Sequence, residues 1–232
     1  MTLSKTQIDK LGERLKAGES TADDVRELDE YRHSFGPQYE EVVATIRRLL
    51  NLTPHGRRAK TIPSIVAKLH RESIRLSQIQ DIAGCRIVVS DRPTQDRTVD
   101  ALCRAFADAV IVDRRVDPSY GYRAVHIIVR LRGKAVEIQV RTTLQHQWAE
   151  VSEKYSDAIP SLKYGGGNEV IRNRLMSLSE TAYAIESLEK TLAETGASEE
   201  PAVTEKELSS TRAVVTGILR EMSKDLERHK LS

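Results

Sequence analysis

The segment 122–142, YRAVHIIVRLRGKAVEIQVRT, carries the clearest structural pattern of the chain. Its two halves, Tyr122 to Leu131 and Ala135 to Thr142, are rich in β-branched residues and are separated by Arg132-Gly133-Lys134. Two such runs around a short connection that contains glycine predict a β-hairpin. Because side chains alternate between the two faces of a strand, the second half presents one face made only of β-branched residues.

The opposite face of this second strand is polar and carries Glu137, Gln139 and Arg141. Alternation alone fits a solvent-facing sheet surface as well as a functional site. Asp81 stands just before another β-branched stretch, 82–90. A second carboxylate near Glu137 would make a magnesium site, since Mg²⁺ prefers one or two carboxylates together with phosphate oxygens. A turn residue between a helix and a strand is the other interpretation of Asp81.

The length of the connection decides which side chains of the hairpin share a face. A connection of three residues would place Gln139 on the face away from His126, and a slip of one residue reverses the faces. We therefore predict a connection of two or four residues, or a bulge at Gly133.

Outside the hairpin, the spacing of apolar residues changes between the helical period and the strand period. Helix starts are indicated by Thr21 with the acids that follow it, by Pro37 and by Pro63. The resulting order is helix, strand, helix, three strands and helix, which is typical of an α+β fold. We therefore predict a mixed, mainly antiparallel sheet flanked by helices, with a helical extension at the C-terminus.

Three segments are expected along the chain. Residues 1–20 are polar and weakly patterned, so we expect a disordered or frayed N-terminus. Residues 21–165 would form the main domain. Residues 168–232 hold two helices with narrow apolar seams, which predict an αα-hairpin or half of a bundle completed by another subunit. Because these seams are long, we expect a homo-oligomer.

The composition suits one core with a charged surface, because 39% of the 232 residues are apolar and 30% are charged. Cys85 and Cys103 lie in apolar stretches without zinc-ligand spacing, which indicates buried thiols in a reducing cytosol. No apolar run approaches the roughly 18 residues that a membrane span needs. The start of the chain lacks the pattern of a signal peptide. We expect a cytoplasmic protein that does not associate with membranes.

Positive charge is concentrated in one part of the chain. Eight arginines and lysines fall between Ile46 and Arg75, where Glu72 is the only acid. The net charge of the whole chain is only +2, so this local excess is the informative feature. Such a cluster predicts a nearby polyanion, although a solvated helix face fits the charge alone equally well.

Three hexapeptides resemble, in order and spacing, signatures of the RelA/SpoT synthetase domain: Asp81-Ile-Ala-Gly-Cys-Arg86, Gly121-Tyr-Arg-Ala-Val-His126 and Glu137-Ile-Gln-Val-Arg-Thr142. Upstream, Arg58-Ala-Lys60 and the following serine and lysine resemble the ATP-binding segment of that family. The resemblance covers about residues 35–160 and implies a nucleotidyltransferase-like synthetase fold. It also implies a GTP pyrophosphokinase of the stringent response, which moves pyrophosphate from ATP to the ribose 3′-hydroxyl of GTP or GDP and releases AMP.

The resemblance implies roles for individual residues as well. Asp81 and Glu137 would hold Mg²⁺, and Glu137 would also draw the proton from the ribose 3′-hydroxyl. Tyr122 would stack on guanine, although a plain core role also fits it, and His126 could be an ordinary sheet histidine. The implied ATP contacts are Arg58, Lys60, Ser64, Lys68 and Arg86, with Arg57 as a substitute for Arg58. The implied contacts of the acceptor nucleotide are Tyr122, His126, Gln139 and Arg141.

The helix after the hairpin departs from the family pattern, in which an acid and a histidine are usual at about Ser152 and Glu153. This departure keeps open a toxic synthetase that modifies the 3′ end of tRNA or makes adenine alarmones. A non-catalytic nucleotide- or RNA-binding module is a further alternative, although binding alone does not need both Asp81 and Glu137. No HD dipeptide occurs, so we expect the small synthetase-only type without hydrolase activity. Members of that type often form oligomers, and we favour a tetramer.

We favour a free guanine nucleotide over tRNA as the acceptor. A tRNA acceptor needs a basic track, because phosphate contacts dominate nucleic-acid affinity. By resemblance, ATP already takes four or five cations of the basic run, and the two C-terminal helices mix both signs of charge. Arg47 and Arg48 have no assigned ligand, and they keep the tRNA alternative open.

Overall fold

The computed structural model describes residues 3–57, 59–195 and 205–230. The eight α-helices of these residues are α1 (Lys5–Ala17), α2 (Ala22–His33), α3 (Gly36–Leu50), α4 (Ile62–Arg71), α5 (Arg92–Ala105), α6 (Thr143–Ala158), α7 (Glu169–Thr195) and α8 (Glu205–Lys230). The five strands are β1 (His55–Arg57), β2 (Ala83–Val89), β3 (Val110–Asp113), β4 (Val125–Leu131) and β5 (Lys134–Thr142). Short 3₁₀ helices cover Leu76–Gln78 and Pro160–Tyr164.

The strands form one sheet in the order β1-β2-β5-β4-β3. This mainly antiparallel sheet with flanking helices confirms the predicted α+β class. Strand β1 lies in the stretch 51–60, where Pro54 and Gly56 are typical of a loop. It pairs antiparallel with β2 through Gly56 and Cys85, and a Cβ atom at Gly56 would lie 2.5 Å from the Gly84 carbonyl oxygen. Three residues are too few to show a strand period, so pairing with β2 defines this element.

The β4–β5 hairpin has a connection of two residues, which is one of the three predicted alternatives. Arg132 and Gly133 link the two strands and have φ angles of 49° and 78°. Positive φ at both positions is the requirement of a type I′ turn, whose twist matches that of the flanking strands. Pairing counted from this turn sets Leu131 against Lys134 and therefore Glu137 opposite Ile128.

The expectation of a frayed N-terminus is wrong for residues 5–17, which form α1. Ser4 and Gln7 make a reciprocal capping box at its start. The helix buries Ile8, Leu11 and Leu15, an apolar stripe that is too sparse to stand out in a polar stretch. Burial of such a stripe stabilises a short helix far more than its intrinsic propensity does.

The chain forms two compact units that are interleaved in sequence. The first contains residues 1–87, 101–111 and 127–139, and the second contains residues 88–100, 112–126 and 140–232. This division corrects the expected boundary near residue 165, because the C-terminal helices share a unit with residues before that point. The sequence pattern showed a change in composition there, and it could not show which segments pack together.

The apolar seams of α7 and α8 are covered within the chain. Leu175, Leu178 and Ile185 of α7 pack in one hydrophobic cluster with residues of α6 and α8. Trp148 of α6 belongs to this cluster. It is 3% exposed and donates a hydrogen bond from Nε1 to the Leu175 carbonyl oxygen at 2.7 Å. Trp148 is therefore a packing residue of this cluster. An intramolecular arrangement accounts for the seams, so they no longer argue for an oligomer.

Among the described residues, no helix combines the length and the apolar character required to cross a membrane. Cys85 is a buried thiol, as expected. Burial raises its pKa to about 12, and the nearby negative charge of Glu137 acts in the same direction. Cys103 is only half-buried.

Candidate active site

A lysine–aspartate cluster in the first unit joins three of the residues predicted for the site. Asp81 precedes β2, and its carboxylate accepts hydrogen bonds from Lys60 at 2.5 Å and from Lys68 at 3.0 Å. Lys60 lies in the loop before α4, where its backbone N–H donates to the Ile82 carbonyl oxygen at 2.6 Å. Lys68 comes from α4 itself. The cluster therefore depends on the loop, α4 and the start of β2 together.

The charges of this cluster keep Asp81 ionised. Burial of the Asp81 carboxyl acts to raise its pKa, but the charges and hydrogen bonds of Lys60 and Lys68 outweigh burial and lower the pKa to about 2. Lys68 also lies 3.8 Å from Glu72, which pairs with Arg71 at 2.6 Å, so three cations face two carboxylates and positive charge is in excess. Such an excess at a half-buried position suits a polyanionic ligand such as a triphosphate.

The remaining residues predicted for this half of the site lie on neighbouring elements. Ser64 is in the first turn of α4, where backbone N–H groups favour anions, and its hydroxyl accepts a hydrogen bond from Thr61 at 2.7 Å. Arg86 is half-buried in β2 and pairs through its backbone with His55. Arg57 ends β1. Arg58 lies outside the described residues.

Glu137 and Gln139 form a second polar group in the first unit. Both side chains are half-buried on β5, and the Gln139 amide donates to Glu137 Oε2 at 2.7 Å. The backbone beside Glu137 is closely packed, because a Cβ atom at Gly84 would lie 3.0 Å from the Glu137 carbonyl oxygen. The sequence grouped Gln139 with the acceptor contacts, whereas the structure brings it to the carboxylate of Glu137.

The donor set of Asp81 and Glu137 fits a magnesium ion in its chemistry, because both provide hard carboxylate oxygens. Asp81 has a low pKa and therefore offers an ionised carboxylate at neutral pH. In the described part of the chain, no three His, Cys, Asp or Glu side chains form a group that could hold a metal. An ion held by these two carboxylates would draw its other ligands from phosphate oxygens and water.

An aromatic cluster in the second unit joins three of the predicted acceptor contacts. The Tyr122 hydroxyl lies 3.0 Å from His126 Nε2 and accepts a hydrogen bond from Arg141 Nη2, also at 3.0 Å. The Arg141 guanidinium lies 5.0 Å from the centre of the Tyr122 ring. Arg141 is only 2% exposed, so the cluster is anchored on a buried cation. These contacts fix the position of the Tyr122 ring from its polar end.

A tight turn presents Tyr122. Its backbone N–H donates to the Ser119 carbonyl oxygen at 2.9 Å, and the intervening Tyr120 and Gly121 have φ angles of 51° and 85°. A Cβ atom at Gly121 would lie 2.7 Å from the Trp148 ring. Both the positive φ and this close approach therefore require glycine in the second signature.

Sequence reasoning missed the buried polar side chains of α7, which are Ser179 and Glu186. Ser179 contacts the residues on both sides of Tyr122, and Glu186 accepts a hydrogen bond from Thr142. Burial raises the pKa of Glu186, although its hydrogen bonds act in the opposite direction. The available signal was that these two polar residues interrupt an otherwise apolar helix face at a spacing of seven.

Comparison with known proteins first identifies the class of fold. Small alarmone synthetase 1 of Bacillus subtilis, in a crystal structure with its product pppGpp, superposes with a TM-score of 0.61 at 22% identity, covering 75% of this chain and 100% of that chain. A GTP pyrophosphokinase family protein of Streptococcus pneumoniae superposes with a TM-score of 0.54 at 24% identity, covering 75% and 94%. The chain therefore has the fold of small alarmone synthetases.

Sequence comparison then points to one family. Residues 57–157 match the model described as the region found in RelA / SpoT proteins. This segment is similar to that region, in agreement with the resemblance of the three hexapeptides. Uncharacterised proteins of Mycobacterium tuberculosis and Mycobacterium bovis are 43% identical over 117 residues, which is 47% of this chain and 40% of each relative. The match therefore spans less than half the length of these relatives.

Proposed function

We propose that this chain is a pyrophosphokinase that transfers the β,γ-pyrophosphate of ATP to the ribose 3′-hydroxyl of GTP or GDP. The products would be pppGpp or ppGpp, and AMP. The observation that carries this proposal is the ionised Asp81 carboxylate between Lys60 and Lys68 within a RelA/SpoT segment. A structural relative that holds pppGpp supports the same chemistry.

The lysine–aspartate cluster would take the donor nucleotide. Pyrophosphate transfer gathers several negative charges, so the protein must supply cations and hold the donor and acceptor in line. Lys60 and Lys68 can turn from Asp81 to phosphate oxygens, because each ammonium lies on a flexible stem. Ser64, Arg86 and Arg58 would complete the ATP contacts. Mg²⁺ bound by Asp81 and Glu137 would neutralise phosphate charge.

Glu137 would act as the general base. Its carboxylate takes the proton of the ribose 3′-hydroxyl, and the oxygen then bonds to the β-phosphorus of ATP. The bond between that phosphorus and the oxygen bridging to the α-phosphorus breaks, and AMP leaves with this oxygen. Gln139 donates a hydrogen bond to Oε2 of this carboxylate and would hold its position.

The Tyr122 cluster would bind the acceptor base. An aromatic ring stacks well on a purine when its plane is held, and here His126 and Arg141 both engage the Tyr122 hydroxyl. The Arg141 guanidinium also lies over one face of the ring, 5.0 Å from its centre, so a base would stack on the opposite face. A guanine nucleotide is the acceptor that the family resemblance favours.

Incubation of purified protein with γ-labelled ATP and one acceptor at a time tests the proposal. Label should move to GTP or GDP in the presence of Mg²⁺, with one AMP released for each product. Label on tRNA, and none on guanine nucleotides under the same conditions, would support the tRNA-modifying alternative. Nucleotide binding without any AMP release would identify a non-catalytic binding module.

The tRNA alternative has one observation in its favour. Arg47 and Arg48 are both exposed in the last turn of α3. The exposed arginine pair could contact a phosphate backbone, whereas free GTP or GDP would not need it.

A further inference from the structure

We propose that helix α7 positions the acceptor-binding pair, Tyr122 and Arg141, through two buried polar side chains. Ser179 holds the turn that presents Tyr122, and Glu186 holds the residues that follow Arg141. The inference rests on the proposed role of that pair in binding the guanine nucleotide. Helix α7 lies entirely beyond residue 157, where the match to the RelA/SpoT region ends.

Ser179 connects both neighbours of Tyr122 with one hydroxyl group. Its Oγ donates to the Gly121 carbonyl oxygen at 2.5 Å and accepts a hydrogen bond from Arg123 Nε at 3.1 Å. Ser179 is 2% exposed and Arg123 is 8% exposed, so water does not readily replace either contact. Loss of the hydroxyl would leave a buried carbonyl and a buried guanidinium N–H without these partners.

The same face of α7 packs on the turn around these hydrogen bonds. The Sδ atom of Met176 lies 3.2 Å from the position that a Cβ atom of Gly121 would occupy. One turn after Ser179, the Tyr183 ring lies 4.4 Å from the Arg123 guanidinium. Positions 176, 179 and 183 fall on one helix face, so a single rigid element fixes the turn on both sides of Tyr122.

Glu186 holds the other half of the pair. Its carboxylate is fully buried and accepts hydrogen bonds from the Thr142 hydroxyl and from Gln145 Nε2, the latter at 2.9 Å. Thr142 directly follows Arg141 and caps the N-terminus of α6. On the preceding side of Arg141, the Val140 carbonyl oxygen accepts a hydrogen bond from Gln95 at 2.8 Å. The backbone is thus held on both sides of Arg141.

Ser179 and Glu186 act on the same pair of residues, Tyr122 and Arg141. Ser179 and Glu186 are seven residues apart and therefore lie two turns apart on the same helix face. Ser179 holds the residues beside Tyr122, and Glu186 holds the residue after Arg141. Arg141 and Tyr122 are themselves joined by a hydrogen bond to the Tyr122 hydroxyl. Stacking depends on the plane of the ring, and a displacement of about 1 Å in a binding group can weaken function strongly. Helix α7 is therefore a positioning element of the acceptor side.

The test compares Ser179→Ala with Ser187→Ala. Both remove a serine hydroxyl from α7, but Ser187 donates to the Tyr183 carbonyl oxygen of its own helix at 2.7 Å. Calorimetric titration with GDP and GTP should show affinity about 10-fold weaker in Ser179→Ala, as expected for loss of a buried hydrogen-bond partner. Ser187→Ala should bind like the wild type. The KM for the acceptor should rise in Ser179→Ala, while the KM for ATP stays unchanged.

A second variant keeps the inference testable if Ser179→Ala does not fold. Glu186→Gln retains the shape of the side chain but offers only one oxygen to Thr142 and Gln145, so acceptor affinity should fall while ATP affinity is kept. In the double variant, the fold-loss of acceptor affinity should be smaller than the product of the fold-losses in the two single variants. Both substitutions act on the same Tyr122–Arg141 pair. Thermal unfolding monitored by circular dichroism confirms that each variant is folded.

The outcomes separate this inference from the proposed function. If the wild type binds no guanine nucleotide, the proposed acceptor is wrong and this inference falls with it. If the wild type binds GDP or GTP and both variants bind it with the wild-type affinity, only the role of α7 is wrong. Equal losses for acceptor and ATP would also overturn it, because they would indicate general destabilisation rather than positioning.

Discussion

The Lys60 ammonium lies 2.5 Å from the Asp81 carboxylate, at the entry to the strand that carries the first RelA/SpoT signature. Both side chains are largely buried, with 14% of Lys60 and 21% of Asp81 exposed. A salt bridge this far from solvent leaves an uncompensated charge when one partner is removed. The contact therefore links the stability of the first unit to the residues proposed to bind ATP.

Asp81→Asn should abolish AMP release and also change how stability depends on pH. The pKa of Asp81 in the folded protein is about 2, below its usual 3.8. The ionised carboxylate therefore adds to the free energy of unfolding above about pH 4, and this stabilisation is lost as pH falls towards 2. That contribution is on the order of 2 kcal/mol. Urea unfolding at several pH values should show the largest difference from wild type near neutrality, and a difference independent of pH would contradict the prediction.

Glu137→Gln should lower the rate of pyrophosphate transfer by at least about 100-fold, the scale typical of general base catalysis. ATP affinity should persist, because the substitution preserves shape and leaves Lys60 and Lys68 in place. Rapid-quench measurement of AMP and titration with a non-hydrolysable ATP analogue give the two values. Glu13→Gln on the exposed side of α1 is the control, and near-normal AMP production by Glu137→Gln would remove Glu137 from the mechanism.

Gly121→Ala and Gly133→Ala form a matched pair of substitutions. Both glycines have positive φ, but space beside Gly133 is open, whereas a Cβ atom at Gly121 would lie 2.7 Å from Trp148. Gly133→Ala should cost about 1 to 2 kcal/mol for the backbone conformation alone. Gly121→Ala should cost about 1 to 3 kcal/mol more, because it overpacks a buried ring. Equal free energies of unfolding for the two variants would show that the turn moves away from Trp148 easily.

Tyr122→Phe and Tyr122→Ala should separate stacking from orientation. The phenylalanine variant keeps the ring and loses the hydroxyl that His126 and Arg141 engage, so the acceptor KM should rise about 5-fold. The alanine variant also loses the stacking surface, so its acceptor KM should rise by about 10-fold more. The KM for ATP should be unchanged in both, and a parallel rise for ATP would argue against an acceptor role.

Replacement of both Arg47 and Arg48 by alanine distinguishes the two acceptor hypotheses. If the acceptor is free GTP or GDP, the double variant should make pppGpp or ppGpp at the wild-type rate, because neither side chain has a role in nucleotide binding. If the acceptor is tRNA, modification should be lost, and its salt dependence in the wild type should be steep. Labelled transfer at two salt concentrations measures both effects.

The sequence predicted the hairpin and the residue pairs that the structure brings together because these depend on local rules. Alternation placed Glu137 and Gln139 on one face of β5, and the glycine at 133 allowed a two-residue turn. Asp81 was predicted just before a strand and precedes β2. Tyr122 was predicted to begin a strand, whereas it lies in a turn and β4 begins at Val125. Such features extend over a few residues and leave a periodic pattern.

The features that sequence reasoning missed depend on partners far along the chain. An amphipathic stripe shows that a helix face is buried but not which surface buries it, so Leu175 and Ile185 suggested another subunit when α6 covers them. Ser179 is 58 residues from its acceptor Gly121, a separation at which no local pattern connects them. Helix α1 and strand β1 were missed because their signals are short or sparse.

The interleaving of the two units bears on the order in which the protein can fold during synthesis. The first unit has all of its residues once residue 139 has been made, whereas the second requires residues up to α8. The indole of Trp148 and the turn at Gly121 therefore cannot pack against α7 until that helix has been synthesised. Translation adds roughly 5–20 residues per second. On the ribosome the residues proposed to bind the acceptor would remain incompletely packed until the last quarter of the chain emerges. A nascent chain would then acquire its proposed ATP side before its acceptor side.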